Sequence, residues 1–269
     1  MVNMDNDQES PRFPPELEHK IFELCLSFHL HEEIAPVNLL LVAKRVTQWL
    51  TPLCYDVVMA HPTAPSPRIA TTENIKKYGH HVHHFQTSLS SMNSLLSVCP
   101  NISNLAIWAH ASKDLLDVII HLPITRLSID IGNLLRVRSR ADLQTFLSRI
   151  THLDVSSRVT WAEEKVLSQF LVLTHVAMYG DIVGLEVGAC LKYVKMLKAI
   201  VLVSTGSEED GLEEVLTDRE DPRIVGIRFG GTRTFRGDWK EGAYGGEDMW
   251  AFADDVMDKR QRARLEEGS

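Results

Sequence analysis

Apolar residues return along most of this chain in one short phrase: an apolar position, two free positions, then two apolar positions on either side of any residue. It begins at Val82, Ile102, Ile124, Ile150, Leu173, Leu197 and Ile224. Its central apolar residues are Phe85, Leu105, Leu127, Leu153, Val176, Ile200 and Ile227, spaced 20, 22, 26, 23, 24 and 27 residues apart. The alternation inside each phrase predicts a short strand. Val58, in the β-branched stretch Tyr55 to Met59, lies 27 residues before Phe85 and predicts an opening strand. Between the phrases run helical patterns: Met92, Leu95, Leu96, Cys99; Leu115, Leu116, Ile119, Leu122; Leu143, Phe146, Leu147, Ile150; and Val166, Leu167, Phe170.

Strand then helix, repeated at this interval, matches the period of leucine-rich repeats. The predicted fold class is therefore α/β: an irregular, leucine-rich-repeat-like parallel β/α solenoid over residues 55–231. Positions 4 and 6 of each phrase should face its core, and the intervening residues should line the opposite face. That exposed row comprises His84 and Gln86; Asn104, Ala106 and Trp108; Arg126, Ser128 and Asp130; His152, Asp154 and Ser156; His175, Ala177 and Tyr179; then the apolar Ala199, Val201 and Val203. Such a row is the usual binding surface of a solenoid. His84, Asn104, Trp108, Arg126, Asp130, His152, Asp154, His175 and Tyr179 are the candidate contacts for a substrate protein.

Before the repeats, Phe13-Pro14-Pro15-Glu16 opens a helix in which proline sits in the first turn and the carboxylate faces the positive end of the dipole. Leu17, Ile21, Leu24 and Phe28 form one stripe, predicted as its single buried face. A loop from His29 to Glu33 leads to a second helix from Val37 to Leu50, apolar around much of its circumference, which Pro52 should end. Residues 13–54 thus read as a helical module after a disordered tail of residues 1–12.

Phe13-Pro14-Pro15-Glu16-Leu17, Ile21-Phe22, Leu40, Val42 and Trp49 together resemble the F-box. The whole layout is similar to F-box-like proteins of mushroom-forming fungi. The resemblance implies docking onto the Skp adaptor of a cullin ubiquitin ligase through Pro14, Leu17, Ile21 and Phe22, with the repeats presenting a substrate protein. The competing reading is a stand-alone scaffold whose N-terminal helices only cap the array.

At the other end, residues 232–269 read as a turn-rich segment around Trp239, Gly242, Gly245 and Gly246. A final helix follows, striped by Met249, Phe252, Ala253, Val256 and Met257, and is predicted to close the last repeat. Ser204 to Asp221 is an acidic surface with a short helical face at Leu212, Val215 and Leu216.

Composition narrows the function. A net charge of -8 with signs interspersed gives no field to hold nucleic acid or an anionic membrane. The polar, acidic start predicts an intracellular protein, and Cys25, Cys54, Cys99 and Cys190, widely separated among apolar residues, read as reduced and buried. In the run His80 to His84, an extended strand would put His81 and His83 on one face and His84 on the other, with no Cys or Asp to complete a metal site. His31-Glu32-Glu33 lacks the second histidine of a zinc-protease motif, and no nucleophile elbow or phosphate loop occurs. The prediction is a non-enzymatic adaptor without cofactor or metal. A hydrolase or metal enzyme built on the histidine run is the alternative from another class.

Overall fold

The computed structural model describes residues 13–31, 37–60, 70–88, 93–109, 112–134, 140–155, 164–179, 184–205, 211–215, 221–230 and 234–267. Helices α1 (Pro15–His31), α2 (Val37–Leu40) and α3 (Lys44–Asp56) lead into strand β1 (Val57–Ala60), then α4 (Thr72–Tyr78) and a 3-10 turn at Gly79–His81. The alternating part runs β2 (His84–Thr87), α5 (Asn93–Leu96), β3 (Asn104–Ile107), α6 (Lys113–Ile119), β4 (Arg126–Ile129), α7 (Ile131–Leu134), α8 (Arg140–Leu147), β5 (His152–Val155), α9 (Glu164–Leu167), β6 (His175–Tyr179), α10 (Gly184–Tyr193) and β7 (Ala199–Thr205). Strands β8 (Gly211–Val215) and β9 (Ile224–Gly230) and helices α11 (Phe235–Ala243) and α12 (Met249–Glu267) complete the chain.

The strands form one sheet in the order β1-β2-β3-β4-β5-β6-β7-β9-β8, with eight strands parallel and β8 antiparallel at the edge. The phrases pair in phase: Val58 with Phe85, Leu105, Leu127, Leu153, Val176 and Ile200 lie side by side along the sheet. All seven of these side chains are buried on the helix-covered face, in one continuous core reaching from Leu26 in α1 to Ile224 in β9.

A hydroxyl ladder joins the rungs just before β3, β4, β5 and β6. Ser103, Thr125, Thr151 and Thr174 occupy the second position of successive phrases, and each backbone N–H donates to the preceding rung, as from Thr151 to Thr125 at 2.8 Å and from Thr174 to Thr151 at 2.9 Å. Their side-chain hydroxyls reach the same carbonyls, Thr151 at 3.1 Å and Thr174 at 3.0 Å. Polar backbone at the strand entries is thus satisfied by the neighbouring repeat.

Several expectations are corrected. The last phrase slips by three residues: Ile200 pairs with Ile224, and Ile227 pairs with Val203. An odd slip turns Ile227 to the strand-lined face. Pro52 lies inside α3 and does not end it. The N–H it lacks would serve the turn at exposed Gln48, where water can take its place, while Leu50, Cys54 and Tyr55 bury the other side. The helix expected from Val37 to Leu50 is broken into α2 and α3, with Leu41 and Val42 exposed between them, and α1 continues through His29 to His31.

Residues 211–215 form β8 where a helical face was expected, because β9 offers them a free edge to pair with. The turn-rich segment around Trp239 is largely helix α11, capped by the Thr234 hydroxyl accepting from Gly237 N–H at 3.1 Å. The predicted tail and Ser156 of the predicted row lie outside the described residues.

Candidate functional site

Two surfaces gather the candidate residues. The first is α1, which is apolar on two sides. Phe22, Leu26 and Leu30, four residues apart, turn inward to the core, while Leu17 (56% exposed), Ile21 (45%), Leu24 (52%) and Phe28 (71%) face outward. This reverses the expected burial, since α3 offers Val46 and Leu50 to one side of α1 only. Glu18 accepts from Arg45 Nε and Nη2 at 3.1 and 2.7 Å, and His19 stacks on Trp49 at 5.0 Å, fixing α1 on α3. Pro14 is exposed beside Leu17; Phe22 is only half-buried. A cavity of about 650 Å³ nearby is lined by Leu40, Leu41, Ala43, Pro52 and Tyr78 among others.

The second surface is the strand-lined face, and it is covered. The C-terminal helices do not cap the end of the array; they lie back across the predicted row. Over β6 to β9 the contact is apolar: Met249, Ala253 and Val256 of α12 pack on Ala199, Val201, Val203, Val225 and Ile227. Over β3 to β6 it is polar. Trp239 Nε1 donates to Asn104 Oδ1 at 3.2 Å, Arg126 Nη1 lies 3.5 Å from Asp248 Oδ2, and His175 Nε2 donates to Asp254 Oδ1 at 3.0 Å. The indole of Trp250 lies beside the stacked rings of His152 and His175, 73° to both, with centroids 5.2 and 5.9 Å away.

The predicted row is therefore brought together but not exposed as expected. Asn104, Asp154 and His175 are buried, and His84, Trp108, Arg126, Asp130, His152 and Tyr179 are partly covered. Asn104 Nδ2 donates to His84 Nδ1 at 3.2 Å. Trp108 Nε1 donates to Ser128 Oγ at 2.9 Å, and Ser128 Oγ donates to Asp154 Oδ2 at 2.5 Å. Asp130 instead caps α7, accepting from Gly132 N–H at 3.0 Å. Sequence reasoning missed Trp239, Asp248, Trp250 and Asp254. The greasy end of the row, Ala199, Val201 and Val203, was the signal that something covers it.

Burial sets the electrostatics. It lowers His152 to about 3, helped by His175, Arg126 and Lys198 nearby. His175 is lowered too, because burial outweighs the opposing effect of Asp254. Both rings are then neutral at pH 7, so His175 to Asp254 is a hydrogen bond to a carboxylate. Asp154 is raised to about 6 by burial, against the Ser128 and Tyr179 hydroxyls. A cavity with about 30 Å³ of room for water centres remains between the sheet and α11, lined by Asp154, Tyr179, Trp108 and Trp239 among others, enough for a water or two.

This arrangement orders polar groups against one another. Ser128 Oγ donates to the Asp154 carboxylate and accepts from Trp108 Nε1, so its hydroxyl is held between the two. In the histidine run, His80 and His81 sit in the 3-10 turn and not on an extended strand, their ring centroids 3.9 Å apart, while His83 Nδ1 lies 2.7 Å from Asp56 Oδ1. Among the described residues no three His, Cys, Asp or Glu converge as a metal ligand set.

Cys54, Cys99 and Cys190 are buried, Cys25 partly so, and burial pushes the first three thiols up to about 12, far from thiolate chemistry. No helix among the described residues is long and apolar enough to cross a membrane. No family model matches the sequence, and no curated protein matches it.

Proposed function

We propose that this chain is a non-enzymatic, F-box-like adaptor: its N-terminal helices dock a Skp-type adaptor of a cullin ubiquitin ligase, and its leucine-rich-repeat-like solenoid presents a substrate protein. One observation carries the reading, the outward stripe of Leu17, Ile21, Leu24 and Phe28 on α1. A contiguous apolar patch of this kind marks an interaction site on a soluble domain. Its spacing suits a helix laid against an apolar groove or another helix. Pro14 and Ile21 fall on or beside the stripe; Phe22 contributes mainly to anchoring α1.

The substrate-binding part of the proposal takes the strand-lined face as its surface, in the parts that α11 and α12 now overlie. The reading needs no cofactor, metal, nucleic acid or membrane, and assigns the protein to the cell interior.

The second reading, a scaffold whose N-terminal helices merely cap the array, is favoured by a specific fact: Leu26, Leu30, Val46 and Leu50 are continuous with the repeat core. Capping accounts for the inner side of the module but gives no role to the outer one. Copurification separates the two. The intact chain should retain the Skp-type adaptor of its own cell, and the Leu17→Asp plus Ile21→Asp variant, still folded, should lose it; equal retention supports the cap.

A further inference from the structure

We propose that the sheet surface over β3 to β6 recognises an acidic, tryptophan-bearing amphipathic helix of a partner protein, and that residues 235–254 occupy it as an internal stand-in. The inference rests on the reading of the strand-lined face as the substrate surface and names the chemistry of what it takes.

The contacts are chemically matched across the two sides. The sheet contributes an amide, a guanidinium and two imidazoles in Asn104, Arg126, His152 and His175; the covering segment contributes indoles and carboxylates in Trp239, Asp248, Trp250 and Asp254. Polar pairs of this kind add little stability over an apolar filling of the same shape, but they select a partner and its register. On α12, Trp250 and Asp254 lie four residues apart along one edge, while Met249, Ala253 and Val256 form the adjoining apolar side. A competing helix therefore needs that pattern: an indole and a carboxylate at i and i+4, beside small and medium apolar residues.

The internal segment also leaves the surface incompletely filled. The small cavity lies beside buried Asp154. A linked occupant works at a high effective concentration, so a partner helix must either bind more tightly or meet the segment once released.

The test keeps the whole chain. A protease site is inserted between residues 231 and 233, the folded protein is cleaved, and a fluorescent peptide of residues 234–269 is added. Anisotropy should rise saturably. A peptide carrying Trp250→Ala and Asp254→Asn should bind ~tenfold more weakly, and Arg126→Ala in the chain should weaken the wild-type peptide by about threefold. The proposal is overturned if the cleaved chain takes up no peptide over a day, binds both peptides equally, or precipitates on cleavage, since each outcome makes the segment inseparable core. Adaptor capture is not read here, so failure of this test leaves the α1 docking reading intact, and loss of adaptor capture leaves the exchange result intact.

Discussion

The imidazoles of His152 and His175 stack at 4.5 Å with 1° between their planes, one above the other on neighbouring strands. Such a pair tolerates one charge poorly and two worse. Burial, first among the causes, holds His152 near 3 and lowers His175, whereas an unfolded chain protonates histidine near pH ~6.5. The unfolded state therefore binds more protons below that point, and stability, full above pH ~6.5, is lost as pH falls toward ~3. Asp154, raised to about 6, acts in the opposite direction as pH drops through that value and offsets part of the loss. Urea unfolding from pH 7.5 to 5 should give a falling stability, with a slope of up to about 1.4 kcal/mol per pH unit for each fully protonated histidine. His152→Gln should flatten it; an unchanged slope contradicts the assignment.

Gly242 sits where α11 meets the turn to α12, and a Cβ there would overlap the Asp248 carboxylate. That carboxylate caps α12, accepting from Trp250 and Ala251 N–H at 3.1 and 2.9 Å, and faces Arg126. Gly242→Ala should displace it and destabilise the protein by roughly 1–3 kcal/mol. Thermal unfolding checks this, and a change under about 0.5 kcal/mol would show that the turn relaxes freely.

The hydroxyl ladder predicts a smaller effect. Thr151→Val keeps the shape and removes the hydroxyl that reaches Thr125 O and His152 Nδ1, the latter at 2.9 Å. The expected cost is about 1 kcal/mol in urea unfolding. By comparison Leu153→Ala, at a fully buried rung of the core, should cost roughly 2–5 kcal/mol.

The rungs were legible in the sequence because each parallel strand repeats one phrase in one register, so a single pattern fixes six neighbours at once. The ladder is written in the sequence too, as Ser103, Thr125, Thr151 and Thr174 at the second position of their phrases. The slip at β9 was not: Ile224, Val225, Ile227 and Phe229 are buried on both faces, and without a polar marker the two-residue alternation has no phase. Helix α11 was masked by Gly237 and Gly242, which dilute its helical pattern. Periodicity identifies the apolar stripe of α1 but cannot say which of two apolar sides faces the core; Phe22, Leu26 and Leu30 win that competition.

The direct test of the adaptor reading is calorimetric titration of the purified Skp-type adaptor into the intact chain. Saturable binding with a negative heat-capacity change is predicted, weakened at least about tenfold by Leu24→Asp or Phe28→Asp in proteins whose unfolding midpoint is unchanged. No heat of binding, or the same affinity in wild type and both variants, would contradict it.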